Sequence, residues 1–232
     1  MTTPRRRMLT VLVLAATLAL SGCSGDSGTS GDSSPEEVLA AAKTNLDETS
    51  GVHVTLATDE LPKGVSGILE ADGIGTHAPA FDGALKVVSG GITADVEVVA
   101  VDDVVHAKLP FTTTFAEIDP ADYGAPDPAE LMGTEAGLSS LLTSMEGVEK
   151  GETVRDGDLV LTEYTGTVPG DVVAGIIPTA SAENDFDASF TISDDDVLNE
   201  AVLTGPFYPG SDDVTYTIRF DQYGTSKDIS AP

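Results

Sequence analysis

From Val52 onward, apolar and polar residues alternate with a period of two over most of the chain. Val52, Val54 and Leu56 alternate with His53 and Thr55, and Phe81, Leu85 and Val87 with Asp82 and Lys86. Ile92, Ala94, Val96, Val98 and Ala100 alternate with Thr93, Asp95 and Glu97; Val105, Ala107 and Leu109 alternate with His106 and Lys108. Each run reads as a half-buried strand with one wet face. Gly90-Gly91 and Asp102-Asp103 are tight turn signals between neighbouring runs, so these strands form an antiparallel meander. Further strands are expected at 148–154 and 159–167. The tail returns to strands at Phe186–Ile192 and Val214–Phe220, with Asp194-Asp195-Asp196 in a turn.

A period near 3.6 interrupts this pattern in three places. Ser34-Pro35-Glu36-Glu37 is a helix start, with Ser as cap, Pro at the first position and Glu three residues on. Val38, Leu39, Ala42 and Leu46 follow as an apolar stripe until Gly51. Asp127-Pro128-Ala129-Glu130 repeats the capping arrangement, and Thr134 is placed to cap a second short helix carrying Leu138, Leu141, Leu142 and Met145. A third short helix starts at Pro169, carries Val172, Val173 and Ile176, and stops at Pro178. The expected fold class is α+β: one curved antiparallel sheet of nine to eleven strands, a half-barrel, with three or four short helices over its concave face.

The start of the chain differs in kind. Arg5, Arg6 and Arg7 precede a 13-residue apolar run from Met8 to Leu20, followed by Leu20-Ser21-Gly22-Cys23. A basic segment, a short apolar core and small residues before a cut describe a secretory signal, too short for a spanning helix. A cysteine at the cleavage position is the bacterial lipobox. Residues 1–22 are then a lipoprotein signal peptide, and Cys23 is the acylated first residue of the mature protein. Residues 23–34 (CSGDSGTSGDSS) form a flexible tether with a typical reach on the order of 20 Å, and 35–232 form the functional domain. The expected location is the extracytoplasmic face of the cell membrane, with the acyl chains on Cys23 as the anchor.

Charge narrows the partners. The 232 residues carry a formal charge of −28, from 11 basic and 39 acidic side chains. Residues 1–22 hold three of the basic groups and none of the acidic ones, so their removal leaves 8 against 39, or −31. Such a chain is repelled by nucleic acid and by anionic headgroups. Cys23 is the single cysteine, which leaves no disulfide within one chain.

Catalytic signatures are missing from the sequence. The histidines His53, His77 and His106 are far apart, and His53 and His106 fall on wet strand faces. No nucleophile elbow, zinc-protease, P-loop or dinucleotide motif occurs. The aspartate clusters lack calcium-loop spacing and read as turns. We therefore expect a protein that is not an enzyme and uses no cofactor or metal.

The apolar strand faces point elsewhere. Gly83, Leu85, Val87, Ala94, Val96, Val98, Ala100 and Ala107 are small for the inside of a curved sheet, and the chain has no Trp and seven Phe. Either the helices pack closely on these residues, or a void remains, and an apolar void accepts hydrocarbon. Composition leaves both readings open.

Four segments together resemble the LppX/LprAFG family of actinobacterial lipoproteins: the lipobox, GALKVVSGGITADVEVVAVDDVVHAKL (83–109), DPAELMGTEAGLSSLLTSM (127–145) and YTGTVPGDVVAGIIP (164–178). The likeness is greatest to the LprG branch and spans most of 35–232. It implies a LolA/LolB-like fold whose concave side encloses an apolar cavity. It also implies binding of acylated glycolipid, phospholipid or triacylglycerol, and delivery toward the outer envelope beside a major-facilitator exporter. On this reading Leu85, Val87, Val96, Val98 and Ala100 line the cavity from the strands, and Leu138, Leu141, Leu142, Val172 and Ile176 from the helices. The alternative is an envelope adaptor with a filled core that binds a protein partner. A hydrolase using an unrecognised carboxylate pair is a third. The sequence departs from the family at Asp102-Asp103, where Asp-Gly is common, and is only loosely similar over 111–124.

Overall fold

A computed structural model describes residues 33–232; the signal segment, Cys23 and most of the tether lie outside the described residues. Eleven antiparallel strands form one sheet: β1 (Gly51–Ala57), β2 (Gly67–Thr76), β3 (Ala80–Ser89), β4 (Ile92–Val101), β5 (Val104–Lys108), β6 (Ala116–Ile118), β7 (Glu146–Asp156), β8 (Leu159–Val168), β9 (Phe186–Ser193), β10 (Leu198–Gly205) and β11 (Val214–Asp221). Their spatial order is β6-β5-β4-β3-β2-β1-β11-β10-β9-β8-β7. Two meanders, β1–β6 and β7–β11, are thus sewn together where β1 pairs with β11. The α+β class and the wide antiparallel sheet expected from the alternation are what the chain forms.

Three α-helices accompany the sheet. In α1 (Pro35–Glu48) the capping box forms as read: Glu37 N donates to Ser34 Oγ at 3.2 Å, and Ser34 N donates to the Glu37 carboxylate at 2.9 Å. Leu39, Ala42 and Leu46 are its buried stripe. The helix is tied down at both flanks. Lys43 Nζ donates to the Thr134 carbonyl at 2.7 Å, and Asn45 Nδ2 to the Asp196 carbonyl at 2.7 Å in the β9–β10 turn. The third expected helix is α3 (Gly170–Ile176), which starts after Pro169 and stops before Pro178.

The middle segment departs from expectation. No α-helix starts at Asp127; one 3₁₀ turn spans Glu130–Met132, and another spans Pro120–Tyr123. Pro126 and Pro128 bracket Asp127, and a residue before proline is pushed toward extended backbone. Gly133 and Gly137 then break the run, so α2 is only Ser140–Ser144 and Thr134 caps nothing. Three strands were not among the runs read from the pattern: β2, the three-residue β6 and β10.

β2 was illegible for a packing reason. Its Gly73 lies opposite Gly83 of β3, and the ring of Phe81 lies across both. A Cβ on Gly73 would meet that ring at 2.5 Å; one on Gly83 would meet the Asp72 carbonyl oxygen at 2.3 Å. An apolar side chain at either site is therefore replaced by a neighbour's ring, and the alternation vanishes from the sequence.

The filled core sits on the inner faces of β1 and β8–β11. There Leu39, Leu46, Leu142, Val173, Phe186, Phe190, Ile192 and Leu198 are buried in one continuous cluster with the three helices. The inner faces of β3–β5 carry a much smaller cluster, of Phe81, Val96, Val98, Ala100, Val105, Ala107 and Ala129. Much of the outer face is wet and laced with ion pairs, Lys86–Glu70 at 2.6 Å, Lys108–Glu97 at 2.9 Å and Arg219–Glu200 at 2.8 Å among them, while Ala80, Val99 and Val101 form a small buried cluster there under Phe115 and Ile229.

Candidate lipid-binding cavity

Register sets three rows of inner-face side chains across the N-terminal half of the sheet. One row is Ala71–Leu85–Val96, the next Gly73–Gly83–Val98–Ala107, and the third Phe81–Ala100–Val105–Ile118. None of the first two rows has a side chain larger than leucine. No α-helix lies over them. Their cover is the irregular stretch from Pro120 to Leu131, which stands off the sheet and encloses a cavity of about 670 Å³. Eight of the eleven strands contribute to its wall, which requires the sheet to curl around it. The volume falls within the range of small-molecule pockets, roughly 300–1,000 Å³. The small-residue stripe therefore does not serve close helix packing; helices pack on the other half.

The wall is overwhelmingly apolar. Of the residues read from sequence as cavity-lining, Leu85, Val87, Val96, Val98, Leu138, Leu141 and Ile176 face it. Ala100, Leu142 and Val172 do not. Ala100 shares the inner face of β4 but is fully buried between Phe81 and Val105 in register, and those larger neighbours reach the cavity in its place. Leu142 is 1% exposed within the filled core, because its neighbour Leu141 already takes the cavity side of α2. On α3 the cavity face is Val173 and Ile176, three residues apart; Val172 is rotated away by one position.

Several wall residues carried no clear sequence signal. Phe207 lies in the β10–β11 connection and stacks edge-on against Phe186 at 4.8 Å and Tyr216 at 5.0 Å. Tyr216 stood on the apolar side of an alternating run, which marked it as inward but not as a wall residue. Its hydroxyl donates to the Ile68 carbonyl at 2.9 Å and lies 2.7 Å from the Tyr208 hydroxyl. With its proton committed to Ile68, Tyr216 accepts from Tyr208. Burial pushes both phenols above their usual pKa, so the pair stays protonated. It is the main fixed polar feature of an otherwise greasy wall.

The cavity opens at one end. Its most exposed lining residues sit at the β3–β4 hairpin (Ile92), just after β5 (Leu109, Pro110) and at Tyr123. The opposite end is closed by the row containing Phe81.

The histidines do not converge on this site. His53 lies on the outer face, its Nδ1 2.8 Å from Asp221 and its Nε2 3.2 Å from Asp72. Partial burial alone would lower its pKa, but the hydrogen bonds and charges of the two carboxylates outweigh that and raise it. The expected solvated histidine is thus a clamped one. His77 donates through Nδ1 to the Met132 carbonyl at 2.7 Å, and His106 pairs in register with Val99 and Glu117. Among the described residues no group of three or more His, Asp or Glu is arranged to hold a metal.

The sequence profile of the LppX_LprAFG lipoproteins matches residues 34–230. The chain belongs to that family. Two solved structures share its fold. LprF from Mycobacterium bovis aligns with a TM-score of 0.69 at 16% identity, over 85% of this chain and 96% of that one. LppX from Mycobacterium tuberculosis aligns with a TM-score of 0.63 at 18% identity, over 86% and 100%. A LolA-superfamily protein from Nitrosomonas europaea also matches, over 84% of this chain and 94% of its own, at a TM-score of 0.30 and 7% identity. No functionally curated protein matches the sequence. Within this LppX_LprAFG lipoprotein, residues 127–145 and 164–178 supply α2, α3 and the C-terminal part of the cavity's cover.

Proposed function

We propose that this lipoprotein binds the acyl chains of a lipid in its cavity and carries that lipid from the cell membrane toward the outer envelope. The observation that supports this most is an apolar, one-ended hollow of about 670 Å³ under a sheet half that has no helix to fill it. Hydrocarbon gains roughly 0.8 kcal/mol per CH₂ removed from water, so a chain of about a dozen carbons gains on the order of 10 kcal/mol before ordering costs. No covalent step is needed. The ligand class is an acylated glycolipid, a phospholipid or a triacylglycerol, with any polar headgroup at the open end. Cys23 holds the protein on the extracytoplasmic face of the membrane through its own acyl chains, and residues 23–34 give the domain its reach. A major-facilitator exporter is the partner that would supply the cargo.

Leu85 lies between Ala71 and Val96 in the cavity wall, where the hollow has room for a larger side chain. Leu85→Trp is expected to keep the protein folded and to remove most of the bound lipid seen by native mass spectrometry. A folded variant with an undiminished lipid load would contradict the assignment.

A further inference from the structure

Six large apolar side chains are strongly exposed among the described residues: Ile92, Leu109, Phe111, Tyr123, Val154 and Leu159. Four of them surround the open end of the cavity. Ile92 is 71% exposed, Tyr123 51% and Leu109 36%, and all three also line the cavity wall. Phe111, fully exposed two residues after Leu109, has a backbone φ of 68°, unusual for a bulky residue. Thr112 holds that turn by donating both its N–H and its hydroxyl to the Leu109 carbonyl, at 3.1 and 2.7 Å. A strained conformation thus presents a phenyl ring to solvent at the rim of a greasy hollow.

Charge is also arranged around this rim. In a chain of −28, residues 87–94 (VVSGGITA) and 109–116 (LPFTTTFA) contain no charged side chain. The groups flanking these stretches in sequence are Lys86 and Asp95, and Lys108 and Glu117; both lysines are paired with carboxylates, Lys86 with Glu70 at 2.6 Å and Lys108 with Glu97 at 2.9 Å. An uncharged apolar rim set in an acidic surface fits a neutral or zwitterionic lipid interface and is repelled by an anionic one.

We infer that the rim formed by Ile92, Leu109, Phe111 and Tyr123 inserts into a zwitterionic bilayer, so that cargo chains pass between bilayer and cavity without crossing water. This rests on the lipid-carrier reading, since it supplies the step that loads or unloads the cavity. Each of the larger side chains, fully buried in hydrocarbon, is worth about ten-fold in affinity for the surface.

The chain has no tryptophan, so a single introduced one reports its own surroundings. With phosphatidylcholine vesicles, Phe111→Trp is expected to blue-shift and to be quenched by brominated acyl chains. Leu159→Trp, at the β7–β8 hairpin, is expected to do neither. Vesicles of phosphatidylglycerol are expected to give a weaker response at 111. Phe111→Asp, at a rim residue that does not line the cavity wall, is expected to slow lipid transfer between phosphatidylcholine vesicles about ten-fold while the lipid bound per protein stays constant. No shift at 111, or equal shifts at 111 and 159, overturns the inference. So does a Phe111→Asp variant whose transfer is unimpaired, or whose transfer falls only in step with its bound lipid. If the parent protein carries no lipid at all, the carrier reading fails, and the fluorescence comparison still decides whether the rim meets a bilayer.

Discussion

The two halves of the sheet are written in the same alternating code and are packed in opposite ways. In β8–β11 the inner positions include Tyr164, Phe186, Phe190, Ile192, Leu198 and Leu203, and α1, α2 and α3 pack on them. In β2–β5 they are Ala71, Leu85, Val87, Val96, Val98 and Ala107, and what covers them is a proline-broken strap. Bulk on the strands together with helices gives a core; small residues under a cover that stands away give a hollow. Stability and binding are therefore assigned to different regions of one sheet. The first half holds the shape and the second keeps its space empty.

The contrast predicts unequal costs for like truncations. Phe190→Ala, at a position 1% exposed, is expected to lose about 3–5 kcal/mol in denaturant unfolding, because it opens a new void in a filled core. Leu142→Ala belongs to the same class, at about 2–5 kcal/mol. Leu85→Ala, on the wall of a void that already exists, is expected to cost less than about 1.5 kcal/mol. Equal losses for Leu142→Ala and Leu85→Ala would erase the distinction between the halves.

Gly83→Val sharpens the comparison from the hollow side. Its added atoms would meet the Asp72 carbonyl and the Phe81 ring, so β2, β3 or that ring must shift. A loss of about 1–3 kcal/mol is expected by the same measurement, as for overpacking elsewhere.

The seam between the halves has its own clamp. His53 of β1 reaches Asp72 on one neighbouring strand and Asp221 on the other. Its pKa is raised in the folded protein, so this contribution is complete below the unfolded value of about 6.5 and is lost as pH climbs through the folded one. The parent protein should therefore lose up to about 1 kcal/mol more than His53→Gln between pH 6 and pH 9, the size usual for ion pairs near the surface. Parallel pH profiles for the two would show that the clamp carries no stability.

The smallest effect concerns the β4–β5 turn, where Asp102 and Asp103 have φ of 55° and 60°. Asp103→Gly removes the side chain that resists this conformation and is expected to raise stability by about 0.5–1 kcal/mol. A lower melting temperature would mean that the aspartate's own contacts outweigh its strain.

The filled half was the more legible in sequence, although its β10 was not named as a strand. Runs such as Phe186–Ile192 and Val214–Phe220 show their inward residues directly, and Pro169 and Pro178 bound α3. The hollow half was legible only where its wall is aliphatic, at Leu85, Val87, Val96 and Val98. It was hidden at Gly73 and Gly83, where a ring from Phe81 stands in for their missing side chains. It was misread at 127–139, where the capping pattern is present but prolines and glycines stop the helix after one turn. Ala100, Leu142 and Val172 have the right chemistry for a cavity wall. Only the screening of a methyl by larger neighbours and the rotation of a helix separate them from it, and neither is written in a hydrophobic period.

The most direct measurement is mass spectrometry of the organic extract from protein purified from its own host, beside the same extract from Leu85→Trp. The account predicts acylated lipid in near-constant proportion to the parent protein and strongly depleted in the variant. A parent protein that yields no lipid, or a variant that yields as much as the parent, would contradict it.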